Sequence, residues 1–599
     1  MLIQPILDIA EICARKNLQK IVLSPGSRVA HLAIAFARHP EIETLTITDE
    51  RSAAFVAMGM ANQLLSEAIK QKELTQSPDN QAIKLPFVGI ACTSGSAVYN
   101  YAPAVAEAFY QQIPLLILTA DRPPEWIDQL DGQTIRQTEI FGKHVKAAFN
   151  LPADYAHPDS VWQTERIVNE AINLMQTLPY GPVHINVPIR EPFYPTPEEK
   201  VKFSPKVRII QPIFSHQILS KAVWQNLLSI WESTENKLII AGQDYYKPAL
   251  IKTLQNLYQD FRVPIIGDII SNIQNLSDCI RFHDTSLMAQ DDFLKRELQP
   301  ELLITFGKSL ISKNLKIFLR KYKPKWHWHI QSAGLPADTF QTLTHHLQVE
   351  PEYFFKTLYE DLDFQTMLER DEEGEETEYN QLWQKLNQKA KKILLNQSRN
   401  QLIFNELNIF NEILSLIPEN SILHLANSMA VRYANFWGLS EYNRGIEVFA
   451  NRGTSGIDGS NSTAVGAAVI AKDKTITLIS GDLAFFYDRN GLWHNYLPKN
   501  LRIILINNQS GNIFRMIEGP SQQPELEEYF ETFHHLEAAH TAQDFGLIYE
   551  KATNYSELNT ALSHFFEASE KAKILEIKTD KKLNAQVFNE FKQMVKESI

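Results

Sequence analysis

The stretch Thr475-Ile476-Thr477-Leu478-Ile479-Ser480-Gly481-Asp482 decides how this chain is read: a buried, apolar strand that ends abruptly in Gly-Asp. Twenty-four residues (483–506) then separate it from Asn507-Asn508, which leaves a second apolar run at 503–506. Carboxyl ends of neighbouring parallel strands are where open α/β sheets bind ligands. Gly481 lets backbone approach such a ligand, while Asp482 and Asn508 offer hard oxygens suited to a Mg²⁺ ion bridging a diphosphate. Either dipeptide alone is an ordinary turn. The pair at this spacing, each after its own buried strand, points to a site.

Working outward, short runs rich in Val, Ile and Leu recur between amphipathic segments and are mostly apolar on successive residues. That pattern belongs to strands covered on both faces, hence to parallel sheets between helices. Strands are expected at 21–23, 44–47, 87–91, 115–118 and 183–187, then at 238–241, 264–266, 302–306 and 326–330, and finally at 422–425, 447–449, 475–479, 503–506 and 574–577. The fold class is α/β: three doubly wound parallel-sheet domains. A Pro-rich stretch at 190–212 and an acidic run at 368–379 mark the boundaries, giving domains at 1–190, 213–360 and 400–599. The outer two should be similar and the middle one smaller, although no sequence repeat is visible.

Composition narrows the function. The 599 residues suffice for three or four domains, and 44% hydrophobic with 21% charged content is that of a globular protein. Three scattered cysteines make neither a disulfide framework nor a zinc site, and fit a reducing compartment. The net charge of −12 repels phosphate backbones and anionic membranes, so nucleic acid and membrane are not expected partners. Asp8 and Glu11 interrupt any amino-terminal signal core, and no run reaches the ~18 apolar residues of a membrane span. A cytoplasmic location is expected.

Near the amino terminus, Leu23-Ser24-Pro25-Gly26-Ser27-Arg28 leaves one strand into a tight turn, and Thr48-Asp49-Glu50-Arg51 leaves the next into a helix. A carboxylate at such an exit can reach a ligand in the crevice, which makes Glu50 a candidate general acid/base group. Taken alone, Asp49-Glu50-Arg51 reads more readily as a locally paired surface cluster.

The Gly-Asp and Asn-Asn pair resembles the fingerprint of thiamin-diphosphate enzymes, with Leu483 in the branch-specific third position. Further blocks narrow the resemblance: Cys92-Thr93-Ser94-Gly95-Ser96-Ala97, Ala120-Asp121-Arg122-Pro123-Pro124-Glu125, Gly132-Gln133, Asn427-Ser428 with Val431-Arg432, Asn451-Arg452-Gly453-Thr454-Ser455-Gly456-Ile457-Asp458-Gly459, and Ser510-Gly511-Asn512-Ile513-Phe514. Together they are similar to the 2-succinyl-5-enolpyruvyl-6-hydroxy-3-cyclohexene-1-carboxylate synthases of menaquinone biosynthesis. The chain departs from that family at Val29-Ala30-His31, at Gly132 and at Ser510.

The resemblance implies the rest. The cofactors would be thiamin diphosphate with Mg²⁺ or Mn²⁺, and Glu50 would bond the aminopyrimidine ring to favour its imine tautomer. Asp482, Asn508 and the Ser510 carbonyl would hold the metal. Ser428, Gly481, Leu483, Gly511, Asn512, Ile513 and Phe514 would complete the cradle, with Ile457 as the apolar wedge that bends the cofactor. The reaction would be decarboxylation of 2-oxoglutarate and conjugate addition of the resulting succinyl-semialdehyde carbanion equivalent to isochorismate. Both substrates are dicarboxylates, for which Arg28, Arg122, Arg432 and Arg452 are candidates because a guanidinium meets a carboxylate bidentately; Lys313 and Gln133 are accessories. Glu50 and the metal residues would meet across a subunit boundary, in a homodimer or homotetramer. Another thiamin-diphosphate decarboxylase or carboligase, or a non-catalytic relative, remains the alternative. His345-His346 and His534-His535 read as structural, because adjacent histidines diverge instead of sharing one metal, and Trp326-His327-Trp328-His329, which alternates as a strand does, reads as sheet packing in the middle domain.

Overall fold

The computed structural model describes residues 3–75, 85–190, 194–196, 199, 201–288, 291–369, 377–398, 403–439 and 445–599. Its strands form three parallel sheets. The first contains β1 (Leu18–Leu23), β2 (Glu43–Thr46), β3 (Phe87–Cys92), β4 (Leu115–Asp121), β5 (Ala148–Asn150) and β6 (Val183–Pro188) in the order 2-1-3-4-6-5. The second contains β7 (Lys237–Ala241), β8 (Ile265–Gly267), β9 (Leu302–Phe306), β10 (Trp326–Ile330) and β11 (His345–Leu347) in the order 11-10-9-7-8. The third contains β12 (Ile422–Leu425), β13 (Glu447–Phe449), β14 (Ile476–Gly481), β15 (Leu501–Asn507), β16 (Ile548–Ala552) and β17 (Lys573–Lys578) in the order 13-12-14-15-17-16. Counted from its own first strand, the third sheet repeats the order of the first. The outer units therefore share one topology without a visible sequence repeat.

Every strand expected from a buried apolar run is present. Three were not expected, β5, β11 and β16, and each lies at a sheet edge with most of its residues only partly buried or exposed. An edge strand is covered on fewer sides, so it lacks the apolar run that announces a central one.

The outer units are locked together by two helices, Glu50–Thr75 and Ser460–Ile470. Residues 52–63 of the first and 460–469 of the second are all buried, so these stretches are covered on every side and lie inside the molecule. Phe55, Met58 and Met60 share one core with Val465, Ala468 and Phe485. Two glycines allow the close crossing: a Cβ on Gly59 would lie 2.2 Å from the Thr463 carbonyl oxygen, and one on Gly466 would lie 2.1 Å from that of Val56. Backbone cannot yield as a side chain can. Gly466→Val should therefore cost at least about 1–3 kcal/mol and lower the melting temperature. Gly132→Ala, where an added Cβ meets nothing within 4 Å, should leave it unchanged; equal melting temperatures for the two variants would contradict this packing.

The middle unit covers an edge of the third sheet. Asn272 brackets Val448 of β13, its Oδ1 accepting from the Val448 amide at 2.7 Å and its Nδ2 donating to the Val448 carbonyl at 3.0 Å. Gln274 donates to the Ile446 carbonyl and Gln243 to that of Ala450. Side-chain amides thus stand in for a further strand.

Of the expected boundaries, 191–193, 197–198, 200 and 370–376 lie outside the described residues. Much of the remaining Pro-rich stretch runs along the first unit, where Asn169 bonds the backbone of Arg208 and Ile210. Beyond the acidic run, the helix Glu378–Ser398 bridges two cores: Trp383 packs with Leu238 and Ile240, Leu394 with Leu423 and Phe410. No helix among the described residues is long and apolar enough to cross a membrane.

Candidate active site

In both outer sheets the chain reverses direction of growth between the first and third strands, which opens a crevice at their carboxyl ends. In the third sheet β12 delivers Asn427 and Ser428 to that crevice, β14 delivers Gly481 and Asp482, and neighbouring β15 delivers Asn508. Asp482 opens a short helix and is 2% exposed. Its Oδ1 accepts from the Leu483 amide at 2.7 Å, and its Oδ2 from the Ser510 amide at 3.2 Å. That same Ser510 amide lies 3.0 Å from Oδ1 of Asn508. The two side-chain oxygens proposed for the metal thus converge. The Ser510 carbonyl accepts from the Asn512 amide at 2.9 Å and retains a second lone pair.

The residues fit a metal-bound diphosphate. The buried Asn512 side-chain amide has neither its nitrogen nor its oxygen bonded among the described residues. A Cβ on Gly481 would meet nothing within 4 Å, so its backbone faces open space. Gly511 carries Leu483 at its back, 3.2 Å from where a Cβ would stand. Among the described residues no group of three or more His, Cys, Asp and Glu could hold a metal ion. Asp482 is the one carboxylate of the set, so a hard cation here needs a further anionic ligand, as a diphosphate provides.

Several residues around this site were not marked by the sequence. Glu406, 2% exposed, accepts from Asn508 Nδ2 at 2.7 Å; burial pushes its carboxyl up to about 7 against the bonds from Asn508 and Thr579. His534, set aside above as structural, places Nε2 3.6 Å from Asp482 Oδ2. Glu531, fully buried, takes the Gly511 amide on its carbonyl and pairs its carboxylate with Arg515 and Lys581. Phe514 packs its ring against Phe530, and Ile513 is half-buried beside it.

The Arg-Gly-Thr-Ser-Gly-Ile-Asp-Gly loop is held from two sides. Asn427 donates to the carbonyls of Asn451 and Gly456 at 2.7 and 2.6 Å, and accepts from Arg452 at 2.9 Å. From the first unit, the buried carboxylate of Glu107 accepts from the amides of Gly453 and Thr454 at 2.8 and 2.6 Å. Ile457 at the tip is left 37% exposed. Ser428, Ser455, Gln509 and Gln133 all have positive φ, between 55° and 71°, and strained backbone of this kind gathers at functional sites.

Arg432 and Arg452 come together. Arg432 donates to the Ser428 carbonyl at 2.5 Å. Burial, then the charge of Arg452, pushes its guanidinium below the ordinary value, with Asp284 opposing. Burial likewise lowers Arg452, opposed by Asp268 and Glu107. Asp268 and Asp284 come from the middle unit. Burial alone would raise the Asp268 carboxyl, but the bond from His283 and those from the Ile311 and Ser312 amides outweigh it and hold it low. Asn435, one turn beyond Arg432, donates to Asp268 at 3.1 Å and accepts from the Ile269 amide at 2.9 Å, which ties the arginine's helix to the middle unit. Lys313 is exposed at the start of its helix. Lys316 is the lysine of that helix whose charge is felt beside Arg432 and Arg452, which help burial to lower its ammonium pKa.

The remaining candidates gather on the first unit. Glu50, half-buried at its helix start, accepts from Asn100 Nδ2 at 3.4 Å. Arg28 is 4% exposed and donates to the Ile189 carbonyl at 2.8 Å. Its turn is seated on Thr93, whose side chain lies 2.3 Å from a Cβ built on Gly26. The hydroxyls of Thr93 and Ser94 are buried and unbonded among the described residues. Arg122 pairs with Asp131 and donates to the Gly132 carbonyl at 2.9 Å; Gln133 is exposed beside it. No hydrogen bond or ion pair among the described residues joins Glu50 to Asp482, Asn508 or Ser510. Cys92 is a buried strand end whose thiol pKa is raised by burial, as expected of a structural cysteine.

Two crevices, one with an acid and one with convergent hard oxygens beside open backbone at Gly481, match a known class. The family model for the thiamine pyrophosphate enzyme N-terminal binding domain matches residues 8–140, that for the middle domain 211–425, and that for the C-terminal binding domain 431–577. The fold and its three domains are those of a thiamine pyrophosphate enzyme. Relatives named 2-succinyl-5-enolpyruvyl-6-hydroxy-3-cyclohexene-1-carboxylate synthase match over nearly the whole chain. That of Cytophaga hutchinsonii is 44% identical, covering 99% of both chains. Those of Flavobacterium johnsoniae and Porphyromonas gingivalis are 40% and 38% identical, each covering 96% of this chain and 95% and 94% of their own. The chain belongs to the 2-succinyl-5-enolpyruvyl-6-hydroxy-3-cyclohexene-1-carboxylate synthase family.

Proposed function

We propose that this protein is a thiamin-diphosphate-dependent transferase of menaquinone biosynthesis. It decarboxylates 2-oxoglutarate and adds the four-carbon product conjugately to isochorismate, yielding 2-succinyl-5-enolpyruvyl-6-hydroxy-3-cyclohexene-1-carboxylate and CO₂. The observation that carries this reading is the half-buried pair Arg432 and Arg452, with Arg432 bonded to Ser428 in the same sheet whose strand ends bring the Asp482, Asn508 and Ser510 oxygens together, in a protein of net charge −12. Fixed cations concentrated in an otherwise acidic protein suit substrates that each carry two carboxylates.

Bound thiamin diphosphate supplies the electron sink for decarboxylation and transfer. Asp482, Asn508 and the Ser510 carbonyl would hold Mg²⁺ or Mn²⁺ on its diphosphate. Ser428, Gly481, Leu483, Gly511, Asn512, Ile513 and Phe514 would line the cradle. Ile457 would press on the cofactor from the loop held by Asn427 and Glu107. Glu50 would hold a proton at the pyrimidine ring nitrogen. Arg28, Arg122, Arg432 and Arg452 would orient substrate carboxylates, with Gln133 and Lys313 at the rim. The working unit is a homodimer or a pair of dimers in the cytoplasm, each site taking Glu50 from one protomer and the metal from its partner. Exposed apolar side chains at both half-sites support that assembly: Ile457, and Tyr99, 60% exposed beside the Glu50 partner Asn100.

CO₂ release from 2-oxoglutarate, with isochorismate present or absent and pyruvate as control, tests the substrate class. Release from 2-oxoglutarate coupled to loss of isochorismate is expected. Activity confined to pyruvate would overturn the reading.

A further inference from the structure

An asparagine metal ligand has a weakness that a carboxylate lacks. Its two ends are alike in shape and opposite in charge, so a half-turn of the amide presents NH₂ to the cation. Something must fix the turn. Here Asn508 Nδ2 donates to Glu406 Oε1 at 2.7 Å, while Asn508 Oδ1 faces the side where Asp482 Oδ2 lies. Glu406 belongs to a different part of the sheet's cover, the helix Glu406–Ser415, and is itself fixed. Its amide donates to Asn584 Oδ1 at 3.0 Å, and its Oε1 also accepts from Asn584 Nδ2 at 2.8 Å and from Thr579 Oγ1 at 3.0 Å. Asn584, 2% exposed, sits on the C-terminal helix Lys581–Ser598, and Thr579 follows β17. Three donors thus converge on one carboxylate oxygen, and only an acceptor there satisfies them all.

We infer that Glu406 is a positioning residue for the metal site: it takes the Asn508 amide N–H and thereby turns Oδ1 of that side chain toward the cation. The inference rests on the proposed metal role of Asp482 and Asn508. Ligand partners of this kind orient the coordinating group, and their loss typically weakens metal binding by about 10–100-fold.

The test is Mn²⁺ affinity in the presence of thiamin diphosphate, read from the free-ion signal in electron paramagnetic resonance. Glu406→Met keeps the volume and removes the acceptor, and its dissociation constant for Mn²⁺ should rise about 10–100-fold. Glu406→Gln retains Oε1 as an acceptor and should stay within about threefold of wild type. If Glu406 only fills space, Glu406→Met will bind Mn²⁺ as wild type does, and the inference falls. Should Glu406→Met not fold, Thr579→Val, nearly isosteric, loosens one anchor of Glu406 and should weaken Mn²⁺ at least about threefold; unchanged affinity there overturns the inference equally. Asp482→Ala separates the two claims. If it leaves Mn²⁺ binding intact, the metal reading itself fails; if it abolishes binding while Glu406→Met does not, only the role of Glu406 fails.

Discussion

Glu50→Gln should leave the protein folded and able to bind thiamin diphosphate while lowering kcat by about 10²–10⁴-fold, the usual contribution of a placed proton-transfer group. Glutamine matches glutamate in size. Among the described residues the Glu50 carboxylate accepts one side-chain hydrogen bond, the long one from Asn100 at 3.4 Å, so little folding energy is at stake. What disappears is the capacity to hold a proton where β2 gives way to the helix Glu50–Thr75. Exchange of the thiamin C2 proton, followed by NMR in heavy water on bound cofactor, should slow in parallel with turnover. Unchanged exchange and turnover would make Glu50 a surface charge.

Asp482→Ala should abolish metal-dependent retention of the cofactor. Asp482 is buried and is the one carboxylate among the three oxygens offered to the cation, with Asn508 and the Ser510 carbonyl both neutral. Removing one partner of a buried charged pair costs about 3–5 kcal/mol, which is on the order of 10²–10⁴-fold in affinity. Calorimetric titration with thiamin diphosphate at fixed Mg²⁺ should show that loss. With EDTA present, wild type and variant should bind equally weakly, because the difference belongs to the metal. A variant that loses affinity equally with and without Mg²⁺ would move Asp482 from the metal shell to general packing.

Much of this was legible in the sequence, for a definite reason. Strands such as β4 and β15 are buried along their whole length, so apolar residues run uninterrupted and the strand is visible in one dimension. Asp482 and Asn508 were legible because strand exits fix where a side chain emerges. The edge strands β5, β11 and β16 were hidden by their partial exposure. Glu406 and Glu107 were hidden differently. Each acts through a bond to a residue about 100 positions away or more, and nothing in their neighbourhoods distinguishes them from helix-surface glutamates. His534 shows the limit of an argument from spacing. Adjacent histidines cannot share a metal face, yet one of them alone can stand 3.6 Å from Asp482. Lys316 carried no signal in the sequence, because only the folded helix reveals that its charge lies near the two arginines.

Mixing the two inactive variants tests the central claim most directly. If one cofactor is gripped by Glu50 of one protomer and by the metal on Asp482 of its partner, then a hybrid of Glu50→Gln and Asp482→Ala chains has one doubly altered site and one intact site. Unfolding and refolding an equal mixture should then restore about one quarter of wild-type activity, since in a two-fold dimer half the molecules are hybrid and half their sites intact. If both groups act within a single chain, every site in every hybrid carries one lesion, and the mixture will stay as inactive as its parents.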